Sequence, residues 1–242
     1  EAMKSAGIPG DVTTYNSLLH ACALAQLPDG QGADVDAAWE VFERMQSAGV
    51  RPDSATFSML LYACSSSASA AARGGADAVR AWEALDSMVK AKLSPDVVSF
   101  NTVIIACARA RTGPRGGADA EGAWTALEEL LAAGCHPDVA TFNGIIYACA
   151  RGRHVEGGAD ADGAWRAFND MAGLGLVPDV ATFTNLIVAC ANATSGPGGG
   201  AAVESAWKAL RAMQDAGIPP NTVAYSALIT ACARGRVGKA MS

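Results

Sequence analysis

Residues 137–151 read PDVATFNGIIYACAR, and the same phrase returns as PDSATFSMLLYACSS from Pro52, PDVVSFNTVIIACAR from Pro95, PDVATFTNLIVACAN from Pro178 and PNTVAYSALITACAR from Pro220, with GDVTTYNSLLHACAL from Gly10 as an earlier copy. The acidic or amide residue at the second place falls at Asp11, Asp53, Asp96, Asp138, Asp179 and Asn221, in steps of 42, 43, 42, 41 and 42. Two further ladders keep that step: Cys22, Cys64, Cys107, Cys149, Cys190 and Cys232, and Trp39, Trp82, Trp124, Trp165 and Trp207. Three residue types in one register make the chain a tandem array, with repeats 12–53, 54–96, 97–138, 139–179 and 180–221 and a partial repeat over 222–242. EAMKSAG at residues 1–7 matches ERMQSAG at 43–49, so residues 1–11 are expected to be the end of a preceding repeat.

Inside each unit the apolar spacing is helical. Tyr15, Leu18, Leu19 and Cys22 fall at i, i+3, i+4 and i+7, as do Phe142, Ile145, Ile146 and Cys149, which puts one apolar stripe on a first helix. Trp39, Phe42 and Met45 fall at i, i+3 and i+6, mirrored by Trp82, Leu85 and Met88 and by Trp165, Phe168 and Met171, on a second. Asp34, Asp77, Asp119 and Asp160 suit the start of that second helix, and Gly49, Gly134, Gly175 and Gly217 its end, where Lys92 replaces glycine in one unit. A helix pair cannot bury both of its apolar faces alone, whereas stacked pairs share a core. The expected fold is all-α, a right-handed α-solenoid.

The phrase P-D-x-x-[TS]-[YF]-[NST]-x-[LIV]-[LIV] followed by A-C-A resembles the pentatricopeptide repeat over essentially the whole chain. A tetratricopeptide unit carries its tryptophan on the first helix, and here it lies on the second. The departure is length, since the family unit has 35 residues. The extra ones are glycine-rich segments between the two helices, at 25–36, 67–78, 110–121, 152–161 and 193–203, expected to be exposed tips whose growth costs little loop-closure entropy.

The resemblance implies single-stranded RNA as partner, read about one base per repeat by two or three side chains. Carried residue by residue, the reading pairs are Asn16 with Asp53, Ser58 with Asp96, Asn101 with Asp138, Asn143 with Asp179, and Thr184 with Asn221, with Ser226 beginning a sixth. The family's preferences imply uracil for Asn with Asp, guanine for Ser with Asp and adenine for Thr with Asn, giving 5'-U-G-U-U-A-purine-3'. Arg109, Arg151 and Arg234, eight residues after their reading positions, are the implied phosphate contacts; Leu24, Ser66 and Asn192 hold that place elsewhere. A chloroplast or mitochondrion, and a role in RNA stabilisation, processing or translation there, follow from the same resemblance.

Composition must be reconciled with that reading. The net charge is -6 and the pI about 5.0, which argues against a surface that attracts nucleic acid everywhere. Yet none of the 24 acidic residues falls in the first helices, taken as 12–24, 54–66, 97–109, 139–151, 180–192 and 222–234. With half of the phosphate cations absent, binding is expected to be weak with a shallow salt slope. A scaffold role among other proteins of a ribonucleoprotein complex, such as an organellar ribosome, is the alternative.

The remaining motifs read as structure. The cysteine ladder has no CxxC spacing, and equivalent positions in stacked helices lie beyond disulfide reach, so its members are expected to be small core residues. The tryptophans and the aromatics Tyr15, Phe57, Phe100, Phe142, Phe183 and Tyr225 are assigned to the core. GPGGG from Gly196 has no following GK[ST], so it is no phosphate loop. No catalytic constellation is visible, and neither enzymatic activity, a cofactor, a metal nor a membrane span is expected of this segment.

Overall fold

The computed structural model describes residues 10–24, 33–66, 76–111, 117–152, 159–193 and 200–240. The cores of the glycine-rich tips, the EAMKSAG stretch and His154 lie outside that set. Eleven α-helices occur among the described residues: α1 Val12–Leu24, α2 Val35–Ser47, α3 Ser54–Ser66, α4 Ala78–Lys90, α5 Val97–Arg109, α6 Ala120–Ala132, α7 Val139–Arg151, α8 Ala161–Gly173, α9 Val180–Asn192, α10 Gly200–Asp215 and α11 Thr222–Ala240. Odd-numbered helices are the first of each pair and even-numbered the second, so the expected helix-pair array is what forms.

Each first helix starts at a side-chain cap. The carboxylates of Asp96, Asp138 and Asp179 accept from the backbone N–H three residues on, at Ser99, Thr141 and Thr182, and Asp53 does the same for Thr56 at 2.8 Å. The second helices are capped by Asp34, Asp77, Asp119 and Asp160, as expected. Those same aspartates turn the chain back, donating their N–H to the carbonyls of Cys22, Cys64, Cys107 and Cys149 at 2.9–3.1 Å. The tip is thereby stapled to the helix before it.

Neighbouring repeats are joined at the same edge. The backbone N–H groups of Ala76, Ala118 and Ala159 donate to the carbonyls of Arg109, Arg151 and Asn192, at 3.3, 3.4 and 3.1 Å, the last residues of the next first helices. These bonds satisfy carbonyls that a helix end otherwise leaves unpaired.

The core is one continuous cluster running from Leu19 to Ala231. Each interior first helix, α3 to α9, packs on the first helices of both neighbouring repeats, whereas no second helix packs comparably on another second helix among the described residues. The alanines and cysteines of the interior ACA segments, 106–108, 148–150 and 189–191, are buried and permit that close approach. Because the first-helix layer is the tighter one, it forms the inner surface of the stack. A Cβ on Gly144 would stand 2.6 Å from the Ile104 side chain, which measures how close α7 lies to α5.

The tryptophans brace the outer layer. Trp82, Trp124 and Trp165 reach the next repeat and pack near the thiols of Cys107, Cys149 and Cys190. The Arg166 guanidinium lies 4.4 Å from the Trp124 ring centre and the Lys208 ammonium 4.6 Å from that of Trp165. The core reading of both ladders holds through the interior of the array.

Five local expectations are corrected. Leu18, placed on the apolar stripe, is 48% exposed, although its counterparts Leu60, Val103, Ile145 and Leu186 are buried, because no described first helix packs on its side of α1. Tyr225 and Trp207, at the other end of the described stack, are 47% and 42% exposed, since no further described helix pair packs there. Helix α10 begins at Gly200, inside the segment expected to be tip, and α11 runs to Ala240 rather than Arg234.

Second helices end in a left-handed residue. Gly49, Gly134, Gly175 and Gly217 have φ of 71–74°, and Lys92 takes the same place with φ 61°. The bonds around it are those of a Schellman turn, Lys92 N–H to Val89 carbonyl at 2.9 Å and Leu93 N–H to Met88 carbonyl at 3.1 Å. A lysine there carries a Cβ penalty that glycine lacks. Lys92→Gly is expected to raise stability by about 1 kcal/mol, read as a higher urea midpoint at unchanged slope.

Candidate nucleic-acid interface

The residues expected from the resemblance to read bases lie on the first-helix layer, near the N-terminal ends of the first helices. The structure brings four of the five complete pairs together across the repeat junctions. The Nδ2 of Asn16 donates to Asp53 Oδ1 at 3.1 Å, that of Asn101 to Asp138 Oδ1 at 3.1 Å, and that of Asn143 to both carboxylate oxygens of Asp179 at 3.2 and 3.3 Å. Asn221 Nδ2 donates to Thr184 Oγ1 at 3.2 Å. Ser58 is the exception, since its hydroxyl donates to the Ser54 carbonyl at 2.9 Å within its own helix and is too short to reach Asp96.

A third side chain, not singled out in the sequence, completes three of the pairs. Thr56, Thr141 and Thr182 sit at the third position of the following first helix, fully buried. Their hydroxyls lie 2.7, 2.7 and 2.6 Å from the Oδ1 atoms of Asn16, Asn101 and Asn143. Each also lies 2.9 Å from the capping carboxylate. The signal was available, because threonine follows each of these three asparagines at the next repeat.

Asp53, Asp138 and Asp179 therefore have two tasks, capping a helix and bonding an asparagine of the preceding repeat, whereas Asp96 caps its helix without a bond from Ser58. Partial burial pushes each carboxyl up, but hydrogen bonds outweigh it and hold the group below its ordinary value of 3.8: from the N–H of the third helical residue at all four, from the Ser99 hydroxyl at Asp96, and from the asparagine amide at Asp53, Asp138 and Asp179. A depressed folded value means that the stabilisation is present above 3.8 and is lost as pH falls through the lower folded value. Acid titration is expected to leave the helical circular dichroism unchanged down to pH 4 and to weaken the array below it.

Around the pairs the inner face is free of carboxylates: the odd-numbered helices carry no acidic residue. Next to the reading positions stand small or apolar exposed side chains, among them Val98, 67% exposed, Ala140 and Ala181. The three arginines lie at the far ends of the first helices, eight residues on, about 12 Å along the axis. Arg109 and Arg234 also reach back to the preceding first helix, donating to the Ser65 carbonyl at 3.4 Å and the Ala191 carbonyl at 3.0 Å. Arg151 instead donates to the Tyr147 hydroxyl at 3.0 Å and lies over that ring. Asn192, in the same place, bonds the Ala150 carbonyl at 3.3 Å. All three arginines remain exposed.

Other chemistry finds no support in the geometry. No group of three or more metal-ligating side chains occurs among the described residues, and no helix there is long and apolar enough to cross a membrane. Burial pushes the thiols of Cys64, Cys107 and Cys149 up to about 12 and that of Cys190 to about 11, which keeps them protonated and unreactive. Cys135 is half-buried, its thiol directed at the Pro95 carbonyl.

The family profile described as the pentacotripeptide-repeat region of PRORP matches residues 1–112 and 30–162, and the pentatricopeptide repeat domain profile matches 166–235. The chain belongs to the pentatricopeptide repeat family. Among solved structures it is similar to the pentatricopeptide repeat protein PPR10 from maize, at 22% identity and a TM-score of 0.62 over 100% of this chain and 31% of that one. It is also similar to the PPR domain of Arabidopsis thaliana protein-only RNase P 1, a structure in complex with tRNA, at 17% identity and 0.61 over 82% of this chain and 90% of that one. A third is nuclear proteinaceous RNase P 2 from A. thaliana, at 18% identity and 0.58 over 84% and 38%. The chain thus spans less than a third of the length of PPR10. No curated protein sequence matched the chain significantly. These likenesses share the helix-pair stack described above.

Proposed function

We propose that this pentatricopeptide repeat chain binds single-stranded RNA, about one base per repeat, with 5'-U-G-U-U-A-purine-3' as its preferred order. The observation that carries the reading is the row of asparagine–aspartate and threonine–asparagine bonds beside first helices that carry no acidic residue. Short paired donors and acceptors at one-repeat spacing are what hydrogen bonding to splayed-out base edges requires. The tRNA complex of a domain with this fold agrees with it. The role assigned is RNA stabilisation, processing or translation in a chloroplast or mitochondrion, with no catalysis by this segment.

One observation favours a scaffold instead. Two of the three arginines already bond helix-end carbonyls, and Leu24, Ser66 and Asn192 replace the cation elsewhere. Titration of the chain with fluorescent UGUUAG and a scrambled hexamer separates the two. RNA reading predicts tighter binding to the first, and Arg109→Ala is expected to weaken both RNAs alike and flatten the salt slope by about one unit. Equal binding of both hexamers by the unaltered chain would sink the base order, and no binding of either would leave the scaffold.

A further inference from the structure

We infer that Thr56, Thr141 and Thr182 are specificity-determining positioning residues, each fixing which end of the neighbouring asparagine amide faces the base and so selecting uracil over cytosine. The inference rests on the base-reading proposal and adds a third member to each reading set.

The polarity of the bonds carries it. The backbone N–H groups of Asp53, Asp138 and Asp179 donate to the threonine Oγ1 at 3.1, 3.0 and 3.0 Å, which occupies that oxygen as an acceptor. The hydroxyl proton is then directed at the asparagine Oδ1, 2.6–2.7 Å away, the shorter of its two contacts. At the other end of the amide the carboxylate can only accept, so it takes an Nδ2 hydrogen. Donor and acceptor at the two ends hold the amide in one of its two orientations. What remains for a ligand is the second Nδ2 hydrogen and the second Oδ1 lone pair, in a fixed order.

That order matters because uracil and cytosine are complements of each other at two adjacent edge positions. Uracil offers an acceptor oxygen at C4 and a donor at N3; cytosine offers a donor at C4 and an acceptor at N3. An amide matches one in one orientation and the other when turned over. A free amide would serve both, and a held one discriminates.

Within this chain the third helical residue varies with the reading residue as the inference requires. Threonine follows Asn16, Asn101 and Asn143. Serine, Ser99, follows the Ser58 repeat, where there is no amide to orient, and its hydroxyl donates to Asp96 at 2.7 Å. Alanine, Ala224, follows Thr184, where the partner amide of Asn221 is oriented by the Ala224 backbone N–H at 2.8 Å.

The test compares UGUUAG with UGCUAG on the whole chain. Thr141→Val, close in shape, is expected to cut the uracil-over-cytosine ratio at the third base by roughly five- to tenfold, the scale of one net hydrogen bond, while Thr141→Ser keeps it. If Thr141→Val does not fold, Thr56→Val read at the first base takes its place. An unchanged ratio with weaker binding of both RNAs would reduce the threonine to a cap and overturn the inference. A chain that never distinguishes uracil from cytosine would overturn the base reading instead. The side-chain amide of Asn101 in the RNA-free chain gives a separate readout, expected to lose order in Thr141→Val by nuclear magnetic resonance relaxation; an amide equally ordered in both also overturns the inference.

Discussion

Asn101→Ser is expected to move the preferred third base from uracil to guanine, with UGGUAG overtaking UGUUAG. The substitution recreates in the third repeat the set already present in the second, where Ser58 stands with Asp96 and Ser99. Shortening the side chain withdraws the amide that bonds Asp138 and opens room for a purine. The Thr141 hydroxyl keeps Asp138 as an acceptor at 2.9 Å, so no buried group is orphaned. A mismatched base at a nucleic-acid interface costs about 1–3 kcal/mol, so the ranking should reverse by tenfold or more. Stability should change by no more than about 0.5 kcal/mol, because Asn101 lies on the surface of the array. Competition binding with the two hexamers decides it, and an unchanged ranking would remove Asn101 from the reading set.

The largest effect on folding is expected from Phe142→Ala. Phe142 is 1% exposed at the start of α7, whose helix packs on α5 and α9 as well as on its own partner α8. Removing a fully buried phenylalanine costs about 3–5 kcal/mol, from lost burial and the cavity left behind. In an array whose stability is a sum of repeat and interface contributions, the loss falls on the middle of the stack and weakens both interfaces at once. Hydrogen exchange should quicken first over residues 139–151 and in the helices that touch them. Trp207→Ala supplies the contrast, since that side chain is 42% exposed and its loss should cost far less. A drop of under about 1 kcal/mol for Phe142→Ala in urea unfolding would contradict this account of the core.

Much of the site could be read in the chain because repetition turns one ambiguous segment into six aligned ones. Asp138 alone is an unremarkable aspartate; with Asp53, Asp96 and Asp179 it marks both a cap and a reading place. The spacing between Asn101 and Asp138 has no meaning in one dimension, and the family resemblance paired them before the structure showed the bond. Thr141 by itself carries no such signal in the sequence, since a threonine near a helix start is explained by capping alone. Its second bond, to Asn101, crosses the junction from the preceding repeat, and only stacking brings the two within 2.7 Å. The arginines were legible as cations but not as partners of the preceding helix end, for the same reason.

By itself the sequence determined what is local and periodic: the helix-pair unit, its boundaries through the interior, the capping aspartates, the left-handed turn and the identity of the core. These follow from hydrogen bonds and apolar spacings within about a dozen residues of chain. Only the tertiary structure decided what depends on the neighbouring repeat. It put the first helices on the inner layer because small residues let them approach, left Leu18, Trp207 and Tyr225 exposed where the described stack ends, and kept Ser58 apart from Asp96. It also joined asparagine, aspartate and threonine into one set. Those outcomes turn on distances between residues some forty positions apart, which the stacking of helices fixes and the order of residues does not.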